Sequence, residues 1–260
     1  MTVETDAEII ERLRERFEVL EDMTRAVKRG KVRALIVSGA PGVGKSHGVE
    51  KVLGHHDVFA AIAQDQSLKK YEIVKGAIGA LGLYSKLYQY RSEKNVVVLD
   101  DCDNIFSDEQ SLNILKTCLD TGKKRTVSWN YESYKLKEEN VPNRFDFNGG
   151  VIFITNVDFD HVRSKKIRSH LEALESRCHF LNLTCHNTRE KLLRIKQIVN
   201  DGMLNDHTIS DKIKTEVVDF ICDNHTSLRE LSLRTVTKCA DLASAMPDKW
   251  KAVSRMTLMR

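Results

Sequence analysis

Gly39-Ala40-Pro41-Gly42-Val43-Gly44-Lys45-Ser46 constrains the chain more than any other stretch. It fits G-x-x-x-x-G-K-[ST], a loop whose backbone N–H groups turn inward around phosphate oxygens. The apolar run Ala34-Leu35-Ile36-Val37 precedes it and suits a buried strand, while His47 to Leu53 continues as a helix. A helix that starts there adds the positive end of its dipole to the site. In this layout Lys45 reaches the β- and γ-phosphates and the Ser46 hydroxyl holds Mg²⁺. Contacts to the nucleotide are expected from Gly39, Pro41, Gly42, Val43, Gly44, Lys45, Ser46 and His47, which makes a nucleoside triphosphate and Mg²⁺ the predicted ligands.

The 260 residues suit one large domain, or a medium domain with a small one. Lys and Arg exceed Asp and Glu by a net charge of +4, which permits a nucleic-acid partner without demanding one. Six cysteines include no C-x-x-C pair, as in proteins whose thiols stay reduced in the cytosol. Cys178-His179 and Cys185-His186 have two readings: zinc ligands, or small core residues at the end of a sheet, and the second is preferred. The acidic, amphipathic N-terminus has no apolar signal core, and no apolar run reaches 18 residues. These features predict a soluble, cytoplasmic protein with no membrane partner.

Along the chain, Ile9, Ile10, Leu13, Phe17, Leu20 and Val27 keep helical spacing, capped by Thr5 or Asp6 and ended by Gly30. Val58 to Ala63 reads as a second buried strand. Residues 68–95 interleave Tyr71, Lys75, Tyr84, Tyr88, Tyr90 and Arg91, with a loop at Lys75-Gly76 and a helix from Leu81 to Tyr88. That segment either faces a polymer substrate or packs its tyrosines on the sheet. Glu109 to Asp120 reads as a helix. Val127–Tyr131 and Phe145–Phe147 can pair as a long hairpin whose lysines contact a nucleic-acid backbone or form a solvated edge. Polar helices at Thr188–Asn200, Ser210–Asn224 and Ser227 to about Ser244 make a small helical C-terminal domain.

Two further apolar runs end in polar residues, where open α/β sheets bind ligands. Val96-Val97-Val98-Leu99 leads into Asp100 and Asp101, and Val151 to Thr155 leads into Asn156. Asp100 orients the Mg²⁺ shell and Asp101 polarises the attacking water. Asn156 hydrogen-bonds that water or the γ-phosphate, although a terminal Asn is also a plain turn former.

This order of motifs resembles the AAA+ ATPase superfamily over roughly residues 30–245. Its anchors are Gly39–Ser46 (Walker A), Val96–Asp101 (Walker B) and Asn156 (sensor 1). Glu175-Ser176-Arg177-Cys178 is similar to the Ser-Arg-Cys arginine finger of clamp-loader ATPases, which implies that Arg177 acts on a neighbouring subunit's nucleotide, with Arg168 as the alternative. Ser227-Leu228-Arg229-Glu230-Leu231 looks like the sensor 2 helix of initiator-type members, which implies a γ-phosphate contact for Arg229, with Arg234 second.

The resemblance implies an α/β protein: an αβα nucleotide-binding domain with a parallel five-stranded sheet over residues 31–186, a hairpin insert at about 123–150, a helix over 1–30 packed on that core, and an all-helical lid over 187–260. It implies ATP hydrolysis in a homo-oligomeric ring or partial ring. The insert before sensor 1 is similar to the DNA-contacting hairpin of superfamily 3 helicases, and the compact layout to small ATPases of tailed bacteriophages. DNA work in replication or recombination, through Lys123, Lys124, Arg125, Lys135 and Lys137, is the preferred expectation. A protein-remodelling ATPase, with Tyr71 or Lys75-Gly76 lining a pore, and a slowly hydrolysing scaffold are the alternatives. The family usually carries Glu where Asp101 stands, and the shorter side chain must sit closer to its water.

Overall fold

Strands covered on both faces need no polar alternation, so they read as unbroken apolar runs. Three segments do so: Ala34–Ser38, Val96–Asp100 and Gly150–Thr155 are buried at every position. They form the middle of the sheet in a computed structural model of the chain, which describes residues 4–54, 62, 69–159, 162 and 164–260.

The elements run α1 (Asp6–Lys28), β1 (Ala34–Ser38), α2 (Lys45–Gly54), β2 (Tyr71–Lys75), α3 (Ala80–Gln89), β3 (Val96–Asp100), a 3₁₀ turn (Asp103–Phe106) and α4 (Glu109–Cys118). They continue through β4 (Thr126–Ser128), α5 (Tyr134–Glu138), β5 (Arg144–Asp146), β6 (Gly150–Thr155), α6 (Lys165–Glu175) and β7 (His179–Asn182). Four helices close the chain: α7 (Thr188–Asn200), α8 (Asp211–Asn224), α9 (Leu233–Ala245) and α10 (Trp250–Leu258). Helix starts follow side-chain chemistry. Asp108 accepts from Gln110 N and Ser111 N, Ser164 from Ile167 N, Asn187 from Glu190 N and Ser210 from Ile213 N.

The sheet is parallel, in the order β2-β3-β6-β1-β7. The five parallel strands and the helical C-terminus are the fold class that the sequence predicts. Its second strand differs, however. Tyr71–Lys75, read above as mixed and loop-forming, pairs with β3 from Tyr71 opposite Val96 to Lys75 opposite Asp100. An edge strand keeps one flank in water, so its half-exposed, mixed sequence hides the pattern. Val58 to Ala63 lies outside the described residues apart from Ile62. Tyr71, named in the protein-remodelling reading, is the first residue of this strand, and Lys75 is its last, with Gly76 turning out of it at φ 83°.

The described chain divides into two compact units. One holds Phe17–Gly39 and Lys45–Leu183, with the sheet and one apolar core that runs from Ala34 to Leu174. The other holds the chain through Arg16, Ala40–Gly44 and Thr184–Arg260, and its helices pack around Phe220, Val236, Cys239 and Trp250. Within it α1 is tied to α7: Arg12 pairs with the buried Glu190 at 2.9 Å, and Gln197 donates to the Ile10 carbonyl at 3.3 Å. The third expected C-terminal helix starts later than Ser227. Leu228 bridges to Met259, Ser232 stands before the first turn, and α9 begins at Leu233.

The long hairpin is also corrected. Only Thr126–Ser128 and Arg144–Asp146 pair, and α5 sits between them. The module docks on α3: Phe145 meets Tyr84 and Tyr88 edge-on at 5.0 and 5.3 Å, and the Tyr84 hydroxyl donates to the Pro142 carbonyl at 2.8 Å. Burial pushes the Tyr84 hydroxyl up to about 12. Among the described residues no helix is long and apolar enough to cross a membrane.

Candidate functional site

Parallel topology places the carboxyl ends of β1, β3 and β6 side by side, with Ser38, Asp100 and Thr155 as their last residues. β1 lies between β6 and β7, next in space to strands far from it in sequence, and such a reversal is where open α/β sheets bind ligands. Three of the motif segments therefore meet there through strand register alone.

Lys45, the first residue of α2, is buried, and its Nζ donates to the Gly39 carbonyl at 2.7 Å and to Asn156 Oδ1 at 2.8 Å. The other end of the Asn156 amide donates to Asp101 Oδ1 at 2.8 Å. One amide thus spans the lysine expected to reach the phosphates and the carboxylate expected to activate the water. Asp101 takes the left-handed conformation, φ 54°, and its N–H donates to the Ile154 carbonyl at 3.0 Å. For a residue with a side chain this conformation costs of order 1–2 kcal/mol. It turns the carboxylate out of the strand toward Asn156.

Ser46 Oγ donates to Asp100 Oδ1 at 3.0 Å. Asp100 is only 5% exposed, and burial holds its carboxyl above the usual range, with Asp101 and Glu50 adding to the rise while Ser46 and Lys75 oppose it. A hydroxyl and a carboxylate this close form a hard-oxygen pair of the kind Mg²⁺ takes, completed by waters and phosphate oxygens. The loop also has the backbone of a phosphate cradle: Gly42 and Gly44 have φ of 71° and 102°. Below the site Thr155 Oγ1 donates to Asp103 Oδ1 at 2.6 Å and accepts from Val157 N, which fixes the chain on either side of Asn156.

Two residues that the sequence does not assign to this site complete the cluster: Glu50, not singled out there, and Lys75, read there as a loop residue. Lys75 Nζ lies 2.7 Å from Glu50 Oε1 and 3.8 Å from Asp100 Oδ2. Glu50 stands four residues after Ser46 on α2, so both face the end of β3. The spacing of Glu50 from Ser46 was the one available signal.

The arginines are placed as follows. Arg177 is half-buried, donates to the Ala173 carbonyl, and holds Nε 4.0 Å from Asp120 Oδ1. It lines an open cavity of about 730 Å³ with Lys116, Asp120 and Lys124. Arg168 donates to the Val162 carbonyl. Arg229 precedes α9 and bonds the Met259 carbonyl through Nε at 2.8 Å. In its unit the groups against Gly42 are those of Ser232 and Glu230, and Leu233 N donates to the Gly42 carbonyl at 2.9 Å.

Of the five basic residues assigned to DNA, Arg125 is corrected. It is buried, donates to the carbonyls of Cys118 and Gly149 at 3.3 Å, and lies over the Phe147 ring, so it serves the core. Lys123, Lys124, Lys135 and Lys137 are exposed, but Lys124 pairs with Asp146 and Lys135 with Glu139. Cys185 is buried and Cys178 partly buried against the core, and no metal-holding cluster of His, Cys, Asp and Glu occurs among the described residues.

No family model matches the sequence. The chain is 35% identical over 246 residues to an uncharacterized 36.7 kDa protein from the nrdC-mobD intergenic region of Enterobacteria phage T4, covering 94% of this chain and 73% of that one. Among solved structures it is similar to NtrX from Brucella abortus in complex with ATP, with 13% identity and a TM-score of 0.50 over 92% of this chain and 53% of that one. It is also similar to the replication initiator DnaA bound to AMPPCP and single-stranded DNA, with 12% identity and a TM-score of 0.49 over 92% and 63%. The chain thus spans less than two thirds of either solved chain.

Proposed function

The chain belongs to one family with the phage T4 protein, and we propose that, by its fold and motifs, it is an AAA+ ATPase that binds ATP with Mg²⁺ at Gly39–Ser46 and hydrolyses it. The observation that carries this reading is the continuous set of contacts Lys45–Asn156–Asp101 beside the pair Ser46–Asp100. NtrX, which shares the fold, holds ATP. Mg²⁺, when bound, supplies charge neutralisation on the phosphate oxygens. The remaining tasks fall to side chains. Lys45 stabilises charge on the phosphates, and Asn156 orients the Asp101 carboxylate. Asp101 takes a proton from the attacking water. Arg177, which lines an open cavity, completes the site of a neighbouring copy in a ring or partial ring.

The work done with that ATP is proposed to be on DNA. Support comes from exposed Tyr131, Tyr134 and Lys137 in the docked module and exposed Lys123 just before it, aromatic and cationic groups suited to stacking on bases and following a backbone. The two neutralised lysines limit the electrostatic share, so binding is expected to be modest and salt-sensitive. Asp101, shorter than the Glu usual at this position, has to sit closer to its water, which supports slow basal turnover.

The test is the ATPase rate per subunit at fixed low salt, with and without single-stranded or duplex DNA, across protein concentrations. A rate that rises with both is expected. A measurable rate indifferent to DNA overturns the DNA assignment, and no nucleotide binding overturns the ATPase assignment.

A further inference from the structure

Asp100 has two carboxylate oxygens with different neighbours. Oδ1 accepts from Ser46, while Oδ2 faces the ammonium of Lys75 at 3.8 Å, beyond direct hydrogen-bond reach. Strand register puts Lys75 there, because the last residues of β2 and β3 lie side by side. Glu50 then sets where the ammonium stops. Its Oε1 takes Lys75 Nζ at 2.7 Å, and that hydrogen bond is the main reason the lysine holds its proton more tightly than usual. Lys75 is 61% exposed, so it can swing, whereas Asp100 is fixed in the sheet.

We propose that Glu50 and Lys75 form a counter-ion latch that sets the divalent-cation affinity of the Ser46–Asp100 pair. The inference rests on that pair being the Mg²⁺ site. Lys75 offers the buried carboxylate a positive neighbour when no divalent ion is near. Glu50 holds the ammonium off Asp100 and gives it a partner when the ion arrives. Both are positioning residues. A lysine drawn onto Asp100 competes with the ion, and a lysine held by Glu50 does not.

This predicts opposite signs at two residues that touch each other. Glu50→Gln releases Lys75 onto Asp100 and weakens divalent binding. Lys75→Met removes the competing charge and tightens it. In the Lys75→Met background, Glu50→Gln has little left to do. Each single change is expected to be roughly threefold, the scale of a partly exposed ion pair. A purely structural pair would instead weaken binding in both single variants, and a simple through-space effect of Glu50 would persist in the double variant.

The experiment titrates Mn²⁺ into the full chain with a saturating non-hydrolysable ATP analogue and follows free Mn²⁺ by its electron paramagnetic resonance signal. Ser46→Ala and Asp100→Asn serve as controls, and thermal melting confirms folding. If the controls bind Mn²⁺ like the parent, the metal-site reading itself fails. If the controls lose the ion and the two singles show opposite shifts that collapse in the double variant, the latch is supported. If the controls lose it but the singles shift the same way or add independently, the latch alone is overturned.

Discussion

Gly42 has no room for a side chain. Its φ of 71° is left-handed, and a Cβ there would lie 2.7 Å from Ser232 Cβ and 2.9 Å from Ser232 Oγ. Gly42→Ala therefore carries backbone strain and a clash with a helix start, a destabilisation of about 1–3 kcal/mol. Chemical denaturation should show that loss, and adding Ser232→Gly should recover the steric share but not the backbone share. No recovery would mean the contact does not govern the loop. Asn156 permits a second test at this scale. Asn156→Ala removes an acceptor from Lys45 and the donor to Asp101, so turnover should fall roughly 10²-fold, the usual size for loss of one positioned hydrogen-bonding group. ATP affinity should change much less. Asn156→Asp keeps the acceptor for Lys45 but sets an acid against Asp101, and should lower turnover at least as far. Single-turnover hydrolysis beside a nucleotide titration separates the two quantities, and an unaltered rate in Asn156→Ala would remove the residue from the mechanism.

At the scale of elements, the module of β4, α5 and β5 is held by aromatic contacts to α3. Phe145 is 7% exposed and touches both Tyr84 and Tyr88, so Phe145→Ala should cost roughly 3–5 kcal/mol of stability. Tyr131→Ala and Tyr134→Ala remove exposed rings and should leave the denaturation midpoint within about 0.5 kcal/mol of the parent while weakening single-stranded DNA binding. Unaltered DNA binding in both would detach the module from that role. The same elements show where the sequence is legible. β1, β3 and β6 stand out because burial on both faces leaves unbroken apolar runs, and the catalytic candidates sit at their ends. β2 is an edge strand with polar residues, and no periodicity separates YEIVK from a loop. β4 and β5 pair over three residues each, too few for alternation to register. Arg125 looks like a surface charge beside Lys123 and Lys124, and only the carbonyls of Cys118 and Gly149 explain its burial. Lys75 reaches Asp100 through register between neighbouring strands, a relation that no local motif encodes.

At the scale of the whole molecule, the single chain supplies Lys45, Ser46, Asp100, Asp101 and Asn156 to one cluster, while Arg177 bonds Ala173, faces Asp120 and lines a different, open cavity. An arginine that acts on a neighbour's nucleotide requires a heterologous, head-to-tail contact, in which each subunit gives one surface and receives another. Arg177→Ala should then bind ATP normally yet lose turnover, and Asp101→Ala should lose turnover for a different reason. Each is defective in one half of a shared site. In an equal mixture, a site is intact when an Arg177→Ala subunit supplies Asp101 and an Asp101→Ala subunit supplies Arg177. Random head-to-tail assembly gives about a quarter of sites that combination, so activity should recover toward a quarter of the parent value. Recovery should follow the product of the two fractions as the ratio is varied, and should vanish on dilution below the assembly concentration. Two inactive proteins that stay inactive at every ratio, while still assembling with each other, would mean that Arg177 serves its own chain.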